Sequence, residues 1–162
     1  MSLIVKKRKK WFAWLLLPFF LISCTEVRLI GVYNPNVDQS IQTISKDVST
    51  LFAEIEANVQ DGKDFSYDTM RDSYIKIEGE IQGCITVAQG IPKYGIITGQ
   101  LNLLSTALDQ LKQLHMTGFA APGATKEVII KAVELNKSAF VTAFTGMLKL
   151  QEGLKREKAD KS

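Results

Sequence analysis

The amino-acid sequence predicts an all-α fold, an up-down-up-down four-helix bundle preceded by an N-terminal leader and a short tether. Three observations carry this expectation. Four long stretches place apolar residues at steps of three and four, the spacing of one helix face. Clusters of Gly, Pro, Asn and Asp separate those stretches, as turn chemistry requires. No segment shows a period-two alternation strong enough to predict a strand.

The first helix is expected from about Val37 to Val59. Its stripe is Val37, Ile41, Ile44, Val48, Leu51 and Ile55, with Asp38, Lys46, Glu54 and Glu56 off the stripe. Asn34-Pro35-Asn36 offers an N-cap before it, and Asp61-Gly62-Lys63-Asp64 ends it as a polar turn. The second helix, Tyr67 to Ala88, repeats Tyr67, Met70, Tyr74, Ile77, Ile81, Cys84 and Ala88, with Ser66 as its expected N-cap. Gly90, Pro92 and Gly95 break the chain. The third helix, Ile96 to His115, carries Ile97, Leu101, Leu104, Leu108 and Leu111. Gly118 and Pro122-Gly123 mark the next loop. The fourth helix, Thr125 to Arg156, carries the stripe Ile129, Val133, Phe140, Phe144, Met147 and Leu154, which the polar Asn136 and Lys137 interrupt. A charged tail, residues 157–162, is expected to fray.

Short connections between amphipathic helices favour antiparallel neighbours. That arrangement puts the tether, the Gly90–Gly95 loop and the tail at one end of the bundle, residues 37–156. The Gln60–Ser66 and Met116–Ala124 loops fall at the other.

The first residues have a different character. Lys6, Lys7, Arg8, Lys9 and Lys10 form a basic block, and Trp11 to Ile22 is uncharged and almost wholly apolar. A basic region, a short apolar run and a small-residue cleavage site describe a secretory signal peptide. The apolar run falls short of the roughly 20 residues of a spanning helix, and Pro18 interrupts it. The leader, residues 1–23, holds five of the 20 basic residues and none of the 17 acidic ones. The remaining 139 residues therefore carry 15 basic and 17 acidic groups, a net charge of −2. A mildly acidic domain of single-domain length argues against nucleic acid as a partner, because that binding rests on neutralising phosphates.

Leu21-Ile22-Ser23-Cys24 resembles the lipobox of bacterial lipoproteins. The resemblance covers only the leader. It implies that the Cys24 thiol receives diacylglycerol, that the chain is cut before Cys24, and that the new amino terminus is acylated. Residues 24–36 then become the lipidated cysteine and its tether. The resemblance also implies a cell-envelope location. Thr25 stands where an aspartate would mark inner-membrane retention in enteric bacteria, so the outer membrane is favoured. The Tyr33-x-Pro35 opening and the helical pattern look like small uncharacterised bacterial lipoproteins, which names no activity. With Cys24 lipidated, Cys84 is the sole free thiol and no intramolecular disulfide is expected.

Candidate chemistry is sparse. His115 is the only histidine, and its place near a helix C-terminus suits a cation facing the helix dipole. A metal site needs three or four ligands, and no metal or cofactor is expected. Cys84 lies on a helix stripe, where a free cysteine acts as a small hydrophobe. Glu54 with Glu56, and Glu78 with Glu80, are two residues apart and point to different faces, so they read as solvated surface charges and not as a catalytic pair. Gly118 and Gly123 have the spacing of a phosphate loop, but Ala124-Thr125 follows where that loop needs Lys.

Two surfaces remain. Lys155, Arg156 and Lys158 suit the dipole of the last helix or contact lipid phosphates at the membrane-proximal end. Met116, Phe119 and Pro122 are apolar for a loop, and either form a patch for a protein partner or, through Phe119, cap the core. The expectation is therefore a non-enzymatic, lipid-anchored envelope protein that binds a protein partner or scaffolds at the membrane. The alternative is a small-ligand carrier with an apolar cavity between the helices.

Overall fold

The computed structural model describes residues 31–160. The leader, Cys24, the segment 25–30 and residues 161–162 lie outside the described residues. What is described is all-helical and compatible with a helical bundle: α1 (Pro35–Asp61), α2 (Tyr67–Gln89), α3 (Gly95–Gln113) and α4 (Lys126–Ala159), with no strand among the described residues. A five-residue π-helical turn, Leu114–Gly118, continues α3. No described helix is long and apolar enough to cross a membrane.

Each helix begins and ends for local reasons. Asn34 caps α1, its side-chain oxygen accepting from the Asn36 and Val37 backbone N–H groups, and Pro35 fits a first-turn position where no N–H is needed. Gly62 ends α1 in the left-handed conformation, φ 68°, and the following Lys63 N–H reaches back to the Asn58 carbonyl. Ser66 does not cap α2 through its side chain. Asp64 serves that end instead, accepting from the Ser66 N–H and the Thr69 hydroxyl. Thr125 caps α4 by accepting from the Val128 N–H.

The α4 stripe has no buried residue at Asn136 and Lys137, as expected, and the helix itself runs through them. The Asn136 amide donates to the Ala132 carbonyl one turn back, and Lys137 reaches Glu56 on α1. The helix also continues three residues past Arg156, into the expected tail. Arg156 and Lys158 lie in its last turn, where cations favour the dipole.

Every residue of the four expected stripes is buried except Tyr67, which is half-buried. Phe52 and Ile85 join the core from positions beside their stripes. Fully burying such a side chain contributes roughly 1.5–3 kcal/mol. Phe52 meets Phe140 edge to face at 5.5 Å, tying α1 to α4.

α1 packs against α2 and α4, α2 against α3, and α3 against α4, the most sparsely packed of these seams. Part-buried ion pairs bridge the first three: Asp47–Lys76 at 2.9 Å, Glu56–Lys137 at 2.9 Å and Glu78–Lys112 at 2.6 Å. Glu56, Glu78 and Glu80 are thus not the freely solvated charges expected. Glu80 lies beside Asp47 and Lys76, and burial together with the neighbouring carboxylate pushes its acid up. Each pair is still partly open to water and contributes about 1 kcal/mol or less, so the pairs fix register more than they hold the fold.

The four residues before α1 are not a loose linker. The Gly31 N–H donates to the Lys93 carbonyl at 3.1 Å, and the Tyr94 hydroxyl donates to the Val32 carbonyl at 2.8 Å. A Cβ on Gly31 would collide with the Tyr94 ring and the Pro92 carbonyl, so only glycine fits there. The Tyr33 hydroxyl donates to Asp38, and its ring lies under Lys155 and Lys158 at 6.0 and 5.8 Å. The chain entering α1, the α2–α3 turn and the C-terminal turn of α4 therefore meet at one end.

Among the described residues two buried side chains are polar, His115 and Gln151. Gln151 is 1% exposed on the α4 stripe between Met147 and Leu154; the Tyr94 hydroxyl is its polar neighbour, but no well-formed hydrogen bond reaches its amide among the described residues. An orphaned buried amide costs about 1–3 kcal/mol. Gln151→Met, which keeps the volume and removes the polar atoms, should therefore raise stability by about 1 kcal/mol. A higher thermal midpoint checks this, and a lower one would show that the amide is partnered.

Candidate functional site

The end opposite Gly31 carries the one polar group that the core is built around. Here the α1–α2 loop and the π-helical turn close over the helices. His115 is 2% exposed and follows Leu111 by four residues, the next position on the α3 stripe. The Phe119 N–H bonds to the Leu114 carbonyl, five residues back, which widens the turn and leaves both His115 and Phe119 facing inward. Gly118 allows it, because a Cβ there would press into the Leu114 side chain.

Both ring nitrogens of His115 are engaged. Nε2 lies 2.5 Å from the Phe65 carbonyl of the α1–α2 loop, and Nδ1 lies 3.0 Å from the Tyr74 hydroxyl of α2. A carbonyl only accepts, so Nε2 carries a proton, and in the neutral ring that burial favours, Nδ1 accepts from the Tyr74 hydroxyl. Burial pushes the ring's pKa below the ordinary histidine value, against a smaller opposing effect of the Phe65 carbonyl. Burial likewise pushes the Tyr74 hydroxyl up. The sequence expectation of a cation facing the dipole is therefore corrected: the ring points into the core, where an unpaired charge is costly.

Aromatic rings surround it. Phe119 lies at 5.2 Å from the His115 ring, Tyr74 at 5.7 Å and Tyr67 at 6.3 Å, with Tyr67 also 5.6 Å from Tyr74. Outside the cluster is an open hollow of about 440 Å³, lined by Asp64, Phe65, Tyr67, His115, Met116 and Phe119 among others.

The apolar loop divides accordingly. Phe119 is 7% exposed and belongs to the core, as the capping alternative describes. Met116 is 43% exposed and Pro122 is exposed, so these two remain on the surface. Gly118 and Gly123 belong to the turn between α3 and α4, and Gly123 supplies a positive φ of 95° there.

The other named residues lie elsewhere. Lys155, Arg156 and Lys158 are exposed at the Gly31 end, with Arg156 paired to Glu152 one turn back. Cys84 is buried between α1 and α2, and burial pushes its thiol up to about 11, where it is unreactive at neutral pH. Among the described residues no three His, Cys, Asp or Glu side chains gather as a metal site. Cys24 is outside the described residues. Comparison of the chain with protein-family models, with curated proteins and with solved structures returns no match.

Proposed function

We propose that this chain is a lipid-anchored cell-envelope protein, an up-down-up-down bundle that works by holding or binding a protein partner at the membrane and not by catalysis. The observation that carries the reading is the leader: a basic block, a short apolar run and Leu21-Ile22-Ser23-Cys24. The docked segment before α1 supports it. Seven chain steps separate Cys24 from Gly31, a reach of roughly 24 Å, so an anchor at Cys24 keeps the Gly31 end near the bilayer and turns the Met116–Pro122 loop away from it. Lys155 and Lys158 then face the headgroups. The partner-facing surface in this reading is Met116 and Pro122, supported from beneath by Phe119. An outer-membrane location follows from Thr25 by the same resemblance.

The open hollow beside His115 favours one second reading, a carrier of a small apolar ligand. Intact-mass measurement on protein extracted from membranes tests the first. A chain beginning at Cys24 and heavier by two or three acyl chains is expected, and an unmodified Cys24 would refute it. A ligand retained in native mass spectrometry would favour the carrier instead.

A further inference from the structure

The middle of the α3–α4 side of the bundle is an uncharged patch. Gly95 to Leu108 and Ser138 to Leu148 contain no Asp, Glu, Lys, Arg or His. The exposed faces of α1 and α2 instead carry Lys46, Glu54, Arg71, Asp72 and Lys76. Along the sparse α3–α4 seam runs a groove of about 350 Å³, floored by Phe140 and walled by Gln100, Ala107, Ala139 and Ala143. Leu103 stands at its edge and is 72% exposed, and Leu135, one turn before Ala139, is 66% exposed. The Gln100 side-chain oxygen is buried there with no partner among the described residues. Single exposed apolar residues are ordinary. A protruding leucine beside a hole of small side chains, within an uncharged patch, is not that case.

We propose that this face binds the same face of a second copy of the chain. A two-fold contact requires one surface to be complementary to itself, so that a knob on each copy enters a hole on the other. Leu103 and the groove next to it supply both parts. The charge pattern favours a second copy over an unrelated partner. Near a two-fold axis each residue meets its own duplicate, so any charge there faces a like charge, and a self-associating face must be neutral at its centre. Asp109 and Lys149 resume the charge just past the two neutral stretches, where a polar rim belongs. The relative orientation of the copies rests on the anchor reading above: two bundles tethered in one bilayer stand side by side, and a lateral face is the one such copies present to each other.

The test uses full-length protein extracted from membranes in detergent, with molar mass read by sedimentation velocity over a concentration series. The native chain should show a monomer–dimer equilibrium. Leu103→Glu and Leu103→Lys each carry a charge into the other copy's groove, close to its duplicate across the axis, and should weaken the dimer at least about tenfold, with helicity and the thermal midpoint of the dilute monomer unchanged because Leu103 is exposed. Mixing the two variants should restore the dimer through an opposite-charge pair, an outcome that simple unfolding cannot produce. A native chain that stays monomeric, a dimer indifferent to both variants, or a foreign protein or apolar ligand occupying the face would each overturn the proposal. Intact mass on the same samples reports acylation of Cys24 separately, so a failed anchor and a failed dimer are told apart.

Discussion

His115→Ala should remove about 3–5 kcal/mol of stability, comparable to deleting a buried aromatic ring. Two losses combine. The ring fills the space between Tyr67, Tyr74 and Phe119, and its removal leaves a cavity. The Tyr74 hydroxyl and the Phe65 carbonyl also lose their shared partner inside the core. A fall in the urea midpoint with unchanged slope is the expected readout. A shift of under about 1 kcal/mol would mean the ring is not the keystone of that end.

The same site gives the stability a pH dependence of definite sign. His115 has its folded pKa below the unfolded value of about 6.5. Between the two, the unfolded chain binds more protons, so stability rises with pH there. The contribution is complete above the unfolded value and is lost as pH falls through the folded one. His115→Gln keeps a neutral polar side chain and removes the titration. The native protein should lose stability relative to this variant as pH falls below about 6.5, while groups common to both cancel. Parallel curves would contradict the buried neutral assignment.

The second large effect is all-or-none. Cys24→Ser should leave the precursor without diacylglycerol and absent from the washed membrane fraction. Each buried CH₂ of an acyl chain contributes about 0.8 kcal/mol, and two or more chains are needed for stable anchoring. Nothing among the described residues replaces them as a spanning helix. Normal membrane retention of the variant would refute the anchor reading.

Much of the helical architecture was legible because stripe spacing answers directly to burial. Cys84 and the α1–α4 stripes were read from it. Three things were hidden, each for a physical reason. His115 occupied the next stripe position after Leu111, but its polarity near a helix end pointed to solvent, and the widened turn that carries it has no sequence period of its own. Gln151 was hidden likewise, a polar residue at a step of four from Met147. The partners of Glu56 and Glu78 are on other helices, at Lys137 and Lys112, and no spacing within one helix reports them. Phe119 could be framed only as a choice, because a loop aromatic turns in or out according to backbone geometry that the sequence does not encode locally.

The docking of Gly31 and Val32 onto the α2–α3 turn also sets how the molecule bears mechanical load. A pull on the chain ahead of Gly31 does not arrive at the first turn of α1 alone. It divides at Gly31 and Val32 between the covalent path into Pro35 and the hydrogen bonds to Lys93 and Tyr94. Peeling α1 from its neighbours first requires those bonds to break, so tension is shared by helices at the base before any one of them can unravel.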